Sequence, residues 1–92
     1  MARKIFGPGL AQPFQDANGN DFDEVRISSA ILTAGGANAT AAVKAKGGAS
    51  ELSLASPAND MKEVWAKKDQ FHVVGPVTID VVGAGAVLRV DF

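Results

Sequence analysis

A chain of 92 residues with nine basic and ten acidic side chains, net charge −1 and no cysteine makes one small, nearly neutral domain. Without cysteine there is no disulfide framework and no thiolate metal site, and without a basic stripe to track phosphates no nucleic-acid partner is expected. No apolar span of about 18 residues occurs and no apolar run follows the basic residues at the start, so the reading is a chain with no membrane partner, made in a reducing cytoplasm.

A domain of this size buries roughly 63% of its unfolded surface, enough for one core. Valine, isoleucine, leucine and five phenylalanines would fill it, since tyrosine is absent and glycine and alanine are abundant. Marginal stability makes assembly, with copies of itself or with another protein, the expected compensation.

Residues 1–22 have no sustained periodicity, and Gly7, Pro8, Gly9 and Pro13 interrupt any helix or central strand. They read as an extended N-terminal arm, separate from a folded unit at residues 23–92. Phe6, Leu10 and Phe14 are anchors on that arm, docking either on the chain's own body or on a neighbouring subunit. If the arm is external, removing residues 1–14 leaves the folded unit intact. The acidic stretch at 16–24 has several oxygen ligands but Asp21 and Ile27 where a calcium loop needs glycine and glutamate, so Asn18-Gly19 reads as a turn.

From residue 24 the sequence alternates. Val25, Ile27, Ser29 and Ile31 form the inward set of one strand, and Ala41, Val43 and Ala45 that of a second, joined to the first as a hairpin through Gly35-Gly36. After Gly47-Gly48, Leu52 and Leu54 alternate with Glu51 and Ser53 in a third strand. Residues 56–60 are loop, with Pro57 holding Ser56 out of the helical region. Residues 61–66 suit a strand with Val64 or Trp65 at a sheet margin or interface, since neighbours in a strand face opposite ways. Residues 67–69 read as a solvated connection, 71–74 as a strand, and Gly75-Pro76 as an edge, bulge or corner.

The clearest stretch is 77–92. Val77, Ile79 and Val81, then Leu88, Val90 and Phe92, alternate with polar residues on either side of Gly83-Ala84-Gly85, which reads as a β-hairpin. Six to seven short strands at this spacing predict an all-β fold, a small antiparallel β-sandwich. Asp80 and Asp91 would share the wet face of that hairpin.

No arrangement of catalytic type emerges. His72 is the single histidine and lies in an alternating strand without a nucleophile elbow, so no catalytic residue is assigned. One histidine and no cysteine make a poor zinc set, and Gly83-Ala84-Gly85 lacks the third glycine and the helix of a dinucleotide site. The reading is no metal, no cofactor and no small-molecule substrate. Trp65 is either a core plug or an interface anchor, and with Phe6, Leu10 and Phe14 it completes the interface candidates.

The segments VRISSAILTAGGANATAAVKA and VTIDVVGAGAVLRVDF resemble, in layout, a type of small tailed-bacteriophage virion protein: strand, glycine-alanine turn, short alternating strand, and a closing hairpin in which a glycine-x-glycine turn precedes the last apolar strand. The resemblance covers about residues 24–92 and includes no catalytic or metal motif. It implies a capsid decoration or other minor head or tail component located in the virion, with the major capsid protein or other virion proteins as partners and a homo-oligomer as its state.

Overall fold

The computed structural model describes residues 2–66 and 71–92; the connection expected at 67–69 lies outside them. The fold is all-β, with ten strands among the described residues where the alternation had suggested six to seven. They are β1 (Arg3–Phe6), β2 (Gly9–Pro13), β3 (Glu24–Ile27), β4 (Ser29–Thr33), β5 (Ala39–Lys44), β6 (Ser50–Ser56), β7 (Met61–Trp65), β8 (Phe71–Val74), β9 (Thr78–Val82) and β10 (Val87–Asp91). Two four-stranded antiparallel sheets have the orders β1-β10-β4-β7 and β2-β9-β5-β6, and β3 pairs with β8 in a two-stranded ribbon. The inner residues of both sheets, among them Leu32, Leu88 and Val90 from the first and Val43, Leu54, Ile79 and Val81 from the second, form one apolar core.

The connectivity differs from the expected hairpins. β9 pairs with β2 and β5, β10 with β1 and β4, and the two strands do not pair with each other. Likewise β4 lies in the first sheet and β5 in the second. Alternation fixes which face a residue presents but not which strand lies beside it. In place of those two hairpins the chain makes four arches, β1 to β2, β10 to β9, β4 to β5 and β7 to β6, each linking matching positions in the two sheets, while β5 and β6 pair as a hairpin through Gly47-Gly48.

The arch connections bond to one another. Ala34 N–H donates to Asp60 O at 2.9 Å, Asn59 N–H to Gly35 O at 2.7 Å, and Ala58 N–H to Asn38 Oδ1 at 3.0 Å. Gly83, at φ 131°, packs so tightly that an added Cβ would stand 2.7 Å from Asn38 O. That approach turns the glycine-alanine segment across the layers and not back along its own sheet.

The strand expected across 24–33 is broken at Ser28, whose N–H donates to Asp91 O and whose carbonyl accepts from Ala66 N–H. Beyond the break the phase changes: Ala30 and Leu32 enter the core, and Ser29 and Ile31 turn to the outer side. At Gly75 the chain turns a corner, with Gly75 N–H on Asp23 O at 2.7 Å and Phe22 O lying 1.9 Å from where a Cβ would be.

The N-terminal arm is corrected by the structure. β1 is an edge strand of the first sheet and β2 of the second, so residues 3–13 belong to the body, and the boundary drawn at residue 22 separates nothing. Phe14 is wholly buried and Phe6 nearly so, with ring centroids 5.6 Å apart; Phe14 also meets Phe22 at 5.5 Å and Phe92 at 4.9 Å. Pro8 sits in the arch connection and Pro13 ends an edge strand, both places that spare the missing N–H. The turn at Asn18-Gly19 forms as expected: Asp16 Oδ1 accepts from Asn18 N–H at 2.8 Å and Asn20 N–H at 3.0 Å, and Gly19 has φ 82°.

Candidate interaction surface

The four interface candidates separate into two pairs. Phe6 (7% exposed) and Phe14 (0%) dock on the chain's own body, the first of the two alternatives, and so are corrected as interface candidates, whereas Leu10 (71%) and Trp65 (57%) face solvent. Trp65 thus takes the sheet margin and its neighbour Val64 the core side, the division that strand alternation requires.

Register places Trp65 on the outer face of the first sheet. Across that face Arg3, Asp91, Ser29 and Trp65 form one row, Ile5, Arg89, Ile31 and Glu63 the next, and Val87, Thr33 and Met61 the last. Ile5, Val87, Met61 and Trp65 are exposed, and Ile31 fills the space between. These five apolar residues surround a polar centre. Arg3 Nε donates to Asp91 Oδ1 at 2.9 Å, Ser29 Oγ–H to Asp91 Oδ2 at 2.9 Å, and Arg89 Nη2 stands 3.6 Å from the same Oδ2.

Ser29 and Asp91 are buried although they lie on the outer face. The hydrogen bond from Arg3 holds the Asp91 carboxyl below its ordinary 3.8; the bond from Ser29 adds to this, burial opposes it, and the charges of Arg3 and Arg89 contribute less. Arg89 Nε is buried without a hydrogen-bond partner among the described residues. Trp65 Nε1–H donates to Glu63 Oε1, two residues back on the same face.

The outer face of the second sheet is built differently. Its centre is small, with Thr40, Ala42, Ser53 and Ala55, and Leu10 and Val82 stand along one side of a shallow groove of about 470 Å³. Asp80 lies on this face, accepting Ala11 N–H at 2.7 Å and meeting Lys44 Nζ at 2.7 Å. The Ala11 N–H is the main reason its carboxyl is held below 3.8, with Lys44 next. The contact fixes a bulge in β2 where Ala11 takes φ 51°. Asp80 and Asp91 therefore lie in different sheets, and the shared wet face expected for them does not exist.

His72 sits on the β3–β8 ribbon, with Nε2 3.0 Å from Glu24 Oε2 and both side chains about half exposed. The hydrogen bond from His72 is the first cause lowering the Glu24 carboxyl below its ordinary 4.5. Among the described residues no group of three or more His, Cys, Asp or Glu side chains gathers as a metal site.

Sequence reasoning found Trp65 but missed Ile5, Val87, Met61 and Arg89. Their common face depends on register between strands that are distant in sequence, which alternation alone does not carry. Set against known protein families, curated proteins and solved structures, the chain matches none of them.

Proposed function

We propose that this chain is a non-enzymatic structural subunit of a tailed-phage particle, of the capsid decoration or minor head type, which docks on the major capsid protein through the outer face of its first sheet. The observation that carries the docking half is the exposure together of Trp65, Met61, Ile5 and Val87 around the Arg3–Asp91–Arg89 centre. Tryptophan, methionine and arginine are the residues enriched where protein interfaces are most fully desolvated. The Asp91 carboxylate at the centre is already hydrogen-bonded by Arg3 and Ser29, so covering it leaves no bare carboxylate. The virion half rests on the sequence layout of residues 24–92 alone, whose closing segment folds as an arch and not as the hairpin of that layout.

Mass spectrometry of purified particles tests the assignment, with many copies per particle expected. Its absence from particles would end the reading. A second reading, a tail or head-surface module that recognises a host carbohydrate or protein, draws on the arch connections, where Asn38, Asn59 and Asp60 come together at one end of the sandwich. Glycan-array binding by the purified chain, lost in Asn38→Ala, would favour it over the first.

A further inference from the structure

We propose that two copies of this chain join edge to edge through β6, pairing antiparallel about a two-fold axis at Leu54 and extending the second sheet to eight strands. The inference names the copy-to-copy contact within the reading above, and rests on that reading only for its place in a particle.

Among the described residues four strands lie at the edges of the two four-stranded sheets, and an edge strand presents backbone donors and acceptors to any strand that fits; the ribbon strands β3 and β8 are only four residues long, with Glu24 and Arg26 on one and His72 on the other. Three of the four are guarded. β1 is short and carries Arg3 and Lys4, β7 carries Lys62 and Glu63, and β2 is bulged, takes a positive φ at Ala11 and ends in Pro13. β6 confines its irregularity to one end, where the register shifts around Glu51. From Leu52 to Ser56 it pairs with β5 without a break and carries no charge.

The occupant is a second copy because this segment complements itself. Centred on Leu54, the antiparallel register sets Leu54 against Leu54, Ser53 against Ala55 and Leu52 against Ser56, with all partners on matching faces. Bulged Glu51 and Pro57 then flank the paired segment at its ends, so no like charges meet within it. β7, the edge of the first sheet on the same side, carries one lysine and one glutamate, on opposite faces of the strand. Two apposed copies therefore add no net charge there. A two-fold contact of this kind is isologous and closes at the dimer.

Five paired residues make a ladder of roughly 17 Å, below the size of a standard interface. The expected dissociation constant is on the order of 100 μM, weak in solution and effective where many copies sit on one lattice. Sedimentation of the purified chain from about 10 μM to 1 mM should show a monomer–dimer equilibrium. Ser53 and Ala55 are exposed, so charges placed there leave the fold unchanged by circular dichroism and urea midpoint. Ser53→Lys with Ala55→Lys sets four lysines across the seam and should weaken the dimer at least tenfold. Ser53→Lys with Ala55→Glu sets each lysine against the partner's glutamate and should restore it. A wild-type chain that stays monomeric throughout, or a lysine–glutamate variant as weak as the double lysine, would overturn the proposal. Particle content is read separately: a dimer missing from virions ends the phage reading alone, and a virion-bound chain that is monomeric in solution ends this one alone.

Discussion

Two regions of this molecule gather large apolar side chains, and they treat them in opposite ways. At the closed end of the core, Phe14 is enclosed by Phe6, Phe22 and Phe92 with ring centroids 4.9 to 5.6 Å away. On the outer face of the first sheet, Trp65, Met61, Ile5 and Val87 stay in water around a buried carboxylate. The first region lies inside the core; the second leaves its large apolar side chains exposed. The pattern of strands is the same beneath both, so the difference lies in which face of a strand has a second sheet to meet.

The contrast is broken most severely by truncation. Removing residues 2–14 takes away an edge strand from each sheet together with Phe6 and Phe14. The expected outcome is a chain without a cooperative urea transition, the reverse of what an external arm would give. Phe14→Ala should cost about 4 kcal/mol of unfolding free energy, read from the urea midpoint, since an enclosed aromatic leaves a cavity. Gly75→Ala should cost about 3 kcal/mol by the same measurement, because a Cβ there meets the Phe22 carbonyl and the backbone must move.

Acid separates the two regions by a different route. Asp91 and Asp80 are held below 3.8 by their folded-state partners. Their contribution is therefore fully present above that value and is lost as pH falls through their folded-state values. The urea midpoint should be flat from pH 5 to 7 with respect to these groups and fall below about pH 4, and Asp91→Asn should flatten part of that fall. The four aromatic rings do not titrate, so their packing adds nothing to it. The smallest effect on folding is Trp65→Ala, within about 0.5 kcal/mol of wild type. The same variant should lose tenfold or more in binding to particles if the outer face is the docking surface.

Much of the sandwich is legible in the sequence, residue by residue. Val77, Ile79, Val81, Leu88 and Val90 are all buried as their alternation requires, and so are Ala41, Val43, Leu52 and Leu54. The turn at Gly19 was visible because asparagine and glycine tolerate positive φ, and an edge, bulge or corner at Gly75-Pro76 because proline cannot donate to a ladder; the structure makes it a corner. The pairings were not visible. Gly83-Ala84-Gly85 has hairpin composition, yet what decides its path is contact with Asn38, far away in sequence. β1 and β2 were illegible for another reason: four or five residues on an edge give too few repeats to show a period, and Pro8 and Pro13 suggest a loop unless their exact places in the arch are known. For the surface, Trp65 could be singled out by its size and its neighbour, whereas Arg89 and Ile5 become part of it only through β10 pairing with β1.

The order of the strands also bears on when the protein can fold. β9 lies between β2 and β5, and β10 between β1 and β4, so the last segments of the sandwich to leave the ribosome occupy interior places in both layers. Among the described residues β5 and β6 are the one pair adjacent in both sequence and space, leaving a nascent chain a single local ribbon to form early. Assembly of the rest has to wait for residues 78–91, a late and non-local closure of the kind that folds in milliseconds to seconds. Until then β1, β2, β4 and β5 are exposed to other emerging chains, and yield in an expression host should depend on how quickly synthesis reaches that final stretch.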